Sequence, residues 1–207
     1  RATELQTLVR DPYAIYARHV LGLKALDPLD AEPGAAERGT IIHQALEKFV
    51  AATPGDLPDD ALENLVAIGH DVFRDTLARP GVRAFWWPRF QRIAYWFVEF
   101  ERHKRAAGWT VAATEIEGVI EILGPDGPFE LTARADRIDR RADGSLRVVD
   151  YKSGQTPSWR QVKSGLVPQL TLGAAIAQAG GFKDLDAGTV EELAYLHLSG
   201  GRHPGEE

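Results

Sequence analysis

Midway along the chain the spacing of apolar residues changes, and that change decides the class of fold. Between residue 40 and about residue 107, apolar side chains recur at helical spacing; from 111 to 151 they alternate or run continuously, as strands do. Ile42, Ala45, Leu46 and Phe49 form one helical stripe, with Thr40 as its expected N-cap. His43 and Glu47 lie one turn apart on the edge of that stripe. A loop at 53–59 holds Pro54 and Pro58, and residues 60–78 predict a second amphipathic helix. Pro88 suits the first turn of a third helix, running to about Ala107. Upstream, residues 3–22 carry a patchier apolar pattern broken by Pro12. Residues 27–37, rich in Pro, Gly, Ala and acid, predict a loop.

Strands are expected over 111–123, Phe129–Asp139 and Leu146–Tyr151. Gly124-Pro125-Asp126-Gly127-Pro128 separates the first two, and Asp143-Gly144 is a hairpin signal between the last two. The third is almost continuously apolar, as buried central strands are. Residues 158–179 return to a helical period, and Val190–Leu198 predict a fourth strand. The expectation is an α/β (α+β) protein with a mixed central sheet flanked by helices. It reads as a single domain over 1–207, mainly helical over 1–110 and with its sheet over 111–200.

Composition excludes some chemistry. Cysteine is absent, which removes disulfides, cysteine-ligated zinc and iron–sulfur clusters, and fits a reducing cytoplasm. No run of about eighteen apolar residues predicts a membrane span, and the N-terminus has no signal-peptide pattern. With no methionine at all, the chain reads as a piece of a longer protein. The formal net charge of −6 argues against tight stand-alone binding to a polyanion. A local site for divalent cations must itself be acidic, however, and bound cations reverse the local sign.

The informative residues flank the expected hairpin. On a strand, residues two apart face the same way, so Asp150 and Lys152 project from one face at the end of a very apolar strand. Asp136 and Asp150 lie at similar distances from the Asp143-Gly144 turn, which puts their carboxylates near one level of neighbouring strands. Paired carboxylates at one level suit magnesium or manganese. A lysine beside them can stabilise charge developing on a phosphate. An Asp-x-Lys at a strand end is more often a solvated surface pair. The partner carboxylate and the apolar strand distinguish this one.

With these residues in view, the sequence resembles the PD-(D/E)XK nuclease superfamily. Asp136 and Asp150-Tyr151-Lys152 are similar to its signature. Arg38-Gly39-Thr40-Ile41-Ile42-His43 resembles the Gly-x-x-x-His helix of its RecB-like branch, and Gln169 in Val167-Pro168-Gln169-Leu170 resembles that branch's fourth motif. The segment Asp11-Pro12-Tyr13-Ala14-Ile15-Tyr16-Ala17-Arg18 is similar to the one preceding the nuclease in the AddB family of helicase–nuclease subunits. The resemblance implies His43, Asp136, Asp150 and the Tyr151 carbonyl as metal ligands, Lys152 as catalytic lysine, and Gln169 as a group orienting the lysine or a phosphate. It implies Mg²⁺ or Mn²⁺ as cofactor, and His43 favours manganese. It also implies exonucleolytic DNA end-processing with a helicase subunit in double-strand break repair, trimming the 5′-ended strand. Two departures stand out: Asp11 occupies the place of an iron–sulfur cysteine of many AddB proteins, and Gly173 the place of a tyrosine four residues after the glutamine.

Further candidates are weaker. Glu115 or Glu117 would supply an added carboxylate. Arg134, Arg137, Arg140, Arg141, Arg160 and Lys163 track a phosphate backbone or merely solubilise. Phe85, Trp86, Trp87 and Trp96 stack on bases or, more commonly for such a cluster, fill the core, with at most one of the adjacent Trp86 and Trp87 facing inward. Two other readings remain at this point: a catalytically inactive DNA-binding or scaffolding module of the same fold, and a metal-dependent hydrolase of another phosphate ester. The second lacks a Gly-rich phosphate cradle.

Overall fold

Pro12 does break the helical pattern, and it also starts a second helix. In a computed structural model describing residues 1–24, 26, 34–125 and 127–207, helix α1 is Ala2–Arg10 and α2 is Pro12–His19. Asp11 caps α2, its Oδ1 accepting from the Ala14 N–H at 3.2 Å, and Pro12 takes the first turn, where a missing N–H costs nothing. Helix α3, Ala35–Ala52, begins earlier than expected, with Gly34 at its cap. The alanines, Glu37 and Arg38 are good helix formers and extend it backwards. Thr40 is therefore inside the helix, its hydroxyl donating to the Ala36 carbonyl at 3.2 Å. The rest of the expected loop, residues 27–33, lies outside the described residues.

Helix α4, Ala61–Leu77, and α5, Trp87–Ala106, follow, the latter entered through a π-helical turn at Val82–Trp86. The wider turn carries Trp86 and Trp87 round so that both pack on the core, against the expectation of one. Trp87 stacks on Phe90 with centroids 5.7 Å apart. Trp96 stacks on Phe100 at 5.2 Å, and Gly205 sits so close that a Cβ there would come within 2.1 Å of the indole. These half-buried rings pack against the core, while Phe85 is exposed.

The sheet has the order β1-β2-β3-β4: Thr110–Gly124, Gly127–Arg140, Leu146–Lys152 and Val190–His197. The first three strands form an antiparallel meander, and β4 runs parallel to β3. The Asp143-Gly144 turn works as its residues suggest: Asp143 Oδ1 accepts from the Ser145 N–H at 2.9 Å, and Gly144 takes φ +88°. The turn between β1 and β2 includes Asp126, outside the described residues. The helical stretch expected over 158–179 is two helices, α6 (Trp159–Lys163) and α7 (Gln169–Gln178). Gly165, at φ +74°, and Pro168 separate them.

Helices α3, α4 and α5 cover one face of the sheet, packing on Val149, Tyr151, Ala194 and Leu196. Helix α7 covers the other, on Ala133, Ala135, Leu146 and Val148. Between the sheet and α5 runs a chain of buried charge. Arg137, 1% exposed, pairs with Glu101 and with Asp139, the latter at 2.5 Å. Asp139 also accepts from Arg147 Nη1 at 3.1 Å, and Arg147 Nε reaches Glu192 at 2.8 Å. This corrects the reading of Arg137 as a DNA contact: its charge is consumed inside the fold. No helix among the described residues is long and apolar enough to cross a membrane.

Candidate metal centre

The β2–β3 register is Arg137 opposite Val149, so the next rung outward sets Asp136 opposite Asp150. The Tyr151 N–H donates to Asp136 Oδ2 at 2.8 Å, which ties the carboxylate to β3. The alternation of β2 breaks at this point. Ala133 and Ala135 face α7, yet Arg137 and Asp139, also odd-numbered, face α5. Across on β1, Glu115 lies between the pairs Thr114–Arg137 and Ile116–Ala135 with φ +49°. A left-handed conformation in a residue with a Cβ costs about 1–3 kcal/mol, and such strain concentrates at functional sites. Here it accompanies the turning of Glu115 towards Asp136.

His43 arrives from α3. Gly39 and His43 are one turn apart and share a face. At Gly39 a Cβ would meet Ser153 Oγ at 2.7 Å, so the glycine lets the helix lie against the end of β3. Arg38 donates to the Ser153 carbonyl at 3.2 Å and fixes the same contact. One turn on, His43 Nδ1 stands 3.7 Å from Asp136 Oδ2, and its ring meets the Tyr151 ring edge-on at 5.5 Å. Ligand atoms of His43, Glu115 and Asp136 all lie within 4.8 Å of one another. Of the two candidate glutamates, Glu115 joins this group. Glu117 is exposed on the wall of a cleft of about 900 Å³ that also reaches Asp136 and Gln169.

Asp150 stands apart from those three. It is 2% exposed, and its Oδ2 is paired with the Lys152 ammonium. Lys152 Nζ also donates to Gln169 Oε1 at 3.4 Å and lies 5.8 Å from the centre of the Tyr195 ring. Tyr195 is the register partner of Asp150 on β4. Nothing in the sequence singles it out, because its place beside Lys152 depends on the parallel β3–β4 pairing.

The electrostatics follow from burial. Desolvation, then the Asp136 charge, pushes the Asp150 carboxyl up to about 7, against the pull of Lys152. Desolvation likewise raises Glu115, with Asp136 adding to it, and lowers His43 below its usual value, leaving the imidazole neutral with a lone pair to give. A carboxyl raised above its unfolded value near 3.8 favours folding below that pH, and the contribution is lost as pH rises towards 7. We expect the metal-free protein's urea midpoint to fall between about pH 4 and 7, and Asp150→Asn to flatten that fall. An identical pH slope in the variant would show that Asp150 is not the buried acid.

The donor set fits a divalent ion. Carboxylate oxygens with one imidazole suit magnesium or, better, manganese. Of the neighbouring arginines, Arg134 is exposed at the cleft and pairs with Glu115 at 2.7 Å. Arg140 is drawn to the Asp186 carbonyl, and Arg141 stacks over Trp109 at 4.1 Å.

The model of the PD-(D/E)XK nuclease superfamily matches residues 2–207. Among curated proteins, the chain is 26% identical over 180 residues to an uncharacterized protein of Rickettsia bellii, a match covering 87% of this chain and 22% of that protein. It is 26% identical over 185 residues to an uncharacterized protein of Rickettsia conorii, with the same coverage. It is also 26% identical over 208 residues, 95% of this chain, to an ATP-dependent helicase/deoxyribonuclease subunit of Streptococcus mutans, of which it covers 18%. The chain thus spans less than a quarter of the length of these relatives. The match along almost its whole length, with Asp136 facing Asp150 and Lys152 beside them, makes this chain a member of the PD-(D/E)XK nuclease superfamily.

Proposed function

We propose that the chain is a divalent-metal-dependent deoxyribonuclease that hydrolyses phosphodiester bonds at single-stranded DNA ends, acting as an exonuclease alongside a helicase subunit in double-strand break repair. The observation that carries the reading is the facing pair Asp136 and Asp150 with Lys152 against the second carboxylate. His43, Asp136 and Glu115 would hold one ion, with Asp150 as a further ligand once its proton and its pairing with Lys152 give way. A bound ion supplies Lewis acidity and neutralises charge on the scissile phosphate.

The protein's own groups do the rest. Gln169, at the start of α7, holds the Lys152 ammonium through its amide oxygen. The ammonium stabilises negative charge as it develops on the phosphate oxygens. The Tyr151 N–H keeps Asp136 in place, and the Tyr151 ring keeps His43 in place. The cleft beside Asp136 and Gln169 offers room for a strand. Coupling to a helicase is supported by the likeness to the streptococcal helicase/deoxyribonuclease protein.

The test is incubation of linear single-stranded DNA with the protein in manganese, in magnesium and in EDTA. Shortening of the DNA is expected with either metal, at least as fast with manganese, and none in EDTA. An intact substrate in both metals, together with no heat of metal binding by calorimetry, would sink the proposal.

A further inference from the structure

A second cleft, of about 520 Å³, opens on the β4 side of Lys152, away from the one that holds Asp136. Its walls include Pro157, Trp159, Val162, Leu193 and Tyr195. Tyr195 joins it to the centre, since the same ring lies under the Lys152 ammonium. Trp159 is 75% exposed, far more than a large aromatic needs to be, and Leu193 on the opposite wall is 39% exposed. Trp159 does not hang on a loose loop. It opens α6 directly after Ser158, whose hydroxyl accepts from the Gln161 N–H while the Gln161 side chain accepts from the Ser158 N–H at 2.9 Å. This reciprocal cap holds the indole at the mouth of the cleft.

The chemistry of the walls selects the occupant. On the far side Glu192 and Glu207 are already paired with Arg147 and Lys104, and Glu206 adds a negative charge, so a phosphate is disfavoured there. A flat, neutral heterocycle meets no such repulsion, and a carboxylate such as Glu206 accepts hydrogen bonds from base N–H groups, the N3–H of thymine included. On the outer side of α6, Arg160 and Lys163 are exposed, where the phosphates flanking such a base would run.

We propose that this cleft is a subsite for one unpaired nucleobase next to the scissile phosphate, with Trp159 as its stacking platform. It rests on the nuclease reading and adds a substrate requirement to it: the nucleotide beside the cut must be out of a duplex for its base to enter. Trp159 thereby determines the preference for single strands, and Lys152, between the two clefts, marks where the backbone passes.

The test is fluorescence anisotropy of fluorescein-labelled dT10, and of the same strand in a duplex, at low ionic strength with calcium, for the unaltered protein, Trp159→Ala and Trp159→Phe. Stacking on an aromatic is worth roughly 5- to 100-fold in affinity per base, so Trp159→Ala is expected to weaken dT10 binding by that order. Trp159→Phe should recover most of it, and duplex binding should stay the same. Circular dichroism checks that the alanine variant, altered only at an exposed side chain, remains folded. Unchanged dT10 binding by Trp159→Ala, or an equal loss for strand and duplex, overturns the subsite, while metal-dependent cleavage by the unaltered protein would leave the nuclease reading standing. Failure of the unaltered protein both to bind dT10 and to cut linear DNA overturns both.

Discussion

Lys152→Ala is expected to slow metal-dependent cleavage of single-stranded DNA by about two to three orders of magnitude, the usual cost of losing one preorganised group at a developing charge. Metal binding should survive the change. The ammonium contacts Asp150 and Gln169, but His43, Glu115 and Asp136 converge without it. Two effects on the ion oppose each other: a repelling positive charge disappears, and Asp150, no longer pulled down by the lysine, holds its proton more tightly. Calorimetry at pH 8 should therefore still detect the ion in Lys152→Ala and lose it in Asp136→Ala, the one carboxylate within reach of both His43 and Glu115. Cleavage at the native rate in Lys152→Ala would remove the lysine from the chemistry.

Arg137→Ala should act on stability. Its guanidinium is the shared partner of Glu101 and Asp139, both fully buried. Removing one partner of a buried pair leaves an uncompensated charge and costs about 3–5 kcal/mol, against about 0–1 kcal/mol for an exposed pair such as Arg74–Asp71. Urea unfolding of the two variants, Arg137→Ala and Arg74→Ala, makes the comparison directly. A drop for Arg137→Ala no larger than that for Arg74→Ala would mean that the buried chain of charge relaxes or takes up water. The network also lies behind the centre, since Arg137 Nη1 is 3.5 Å from the Tyr151 hydroxyl, on the ring that faces His43. Loss of Arg137 is thus expected to loosen the metal site as well as the fold.

Much of this is legible in the residues. The change of apolar period near residue 110 divides helices from strands, and each expected strand is found within a few residues of its predicted bounds. The hairpin signal at Asp143-Gly144 puts Asp136 and Asp150 near one level, and the turn that forms, with Arg141 bonded to Ser145, settles the register that sets them opposite each other. Helix starts are less legible. Thr40 has the character of a cap, but capping is a matter of local competition, and the helix formers before it prevail. The single helix expected over 158–179 overlooks Gly165 and Pro168.

Arg137 and Trp159 mark the limit. Both are large side chains of types common at nucleic-acid surfaces, and the chain alone gives no reason to bury one and expose the other. Whether Arg137 meets Glu101, 36 residues earlier, depends on how α5 crosses the sheet. Whether Tyr195 lies beside Lys152 depends on β4 pairing parallel to β3. Local periodicity and turn chemistry act over a few residues, and so the order of elements, the apolar strand and the level of the two aspartates follow from the residues nearby in the chain. Burial of charge, the left-handed turn of Glu115 and the cleft behind Lys152 arise from contacts between segments far apart in the chain. Long-range packing sets those, because the free energy of a buried charge or an exposed ring depends on whatever the fold brings against it.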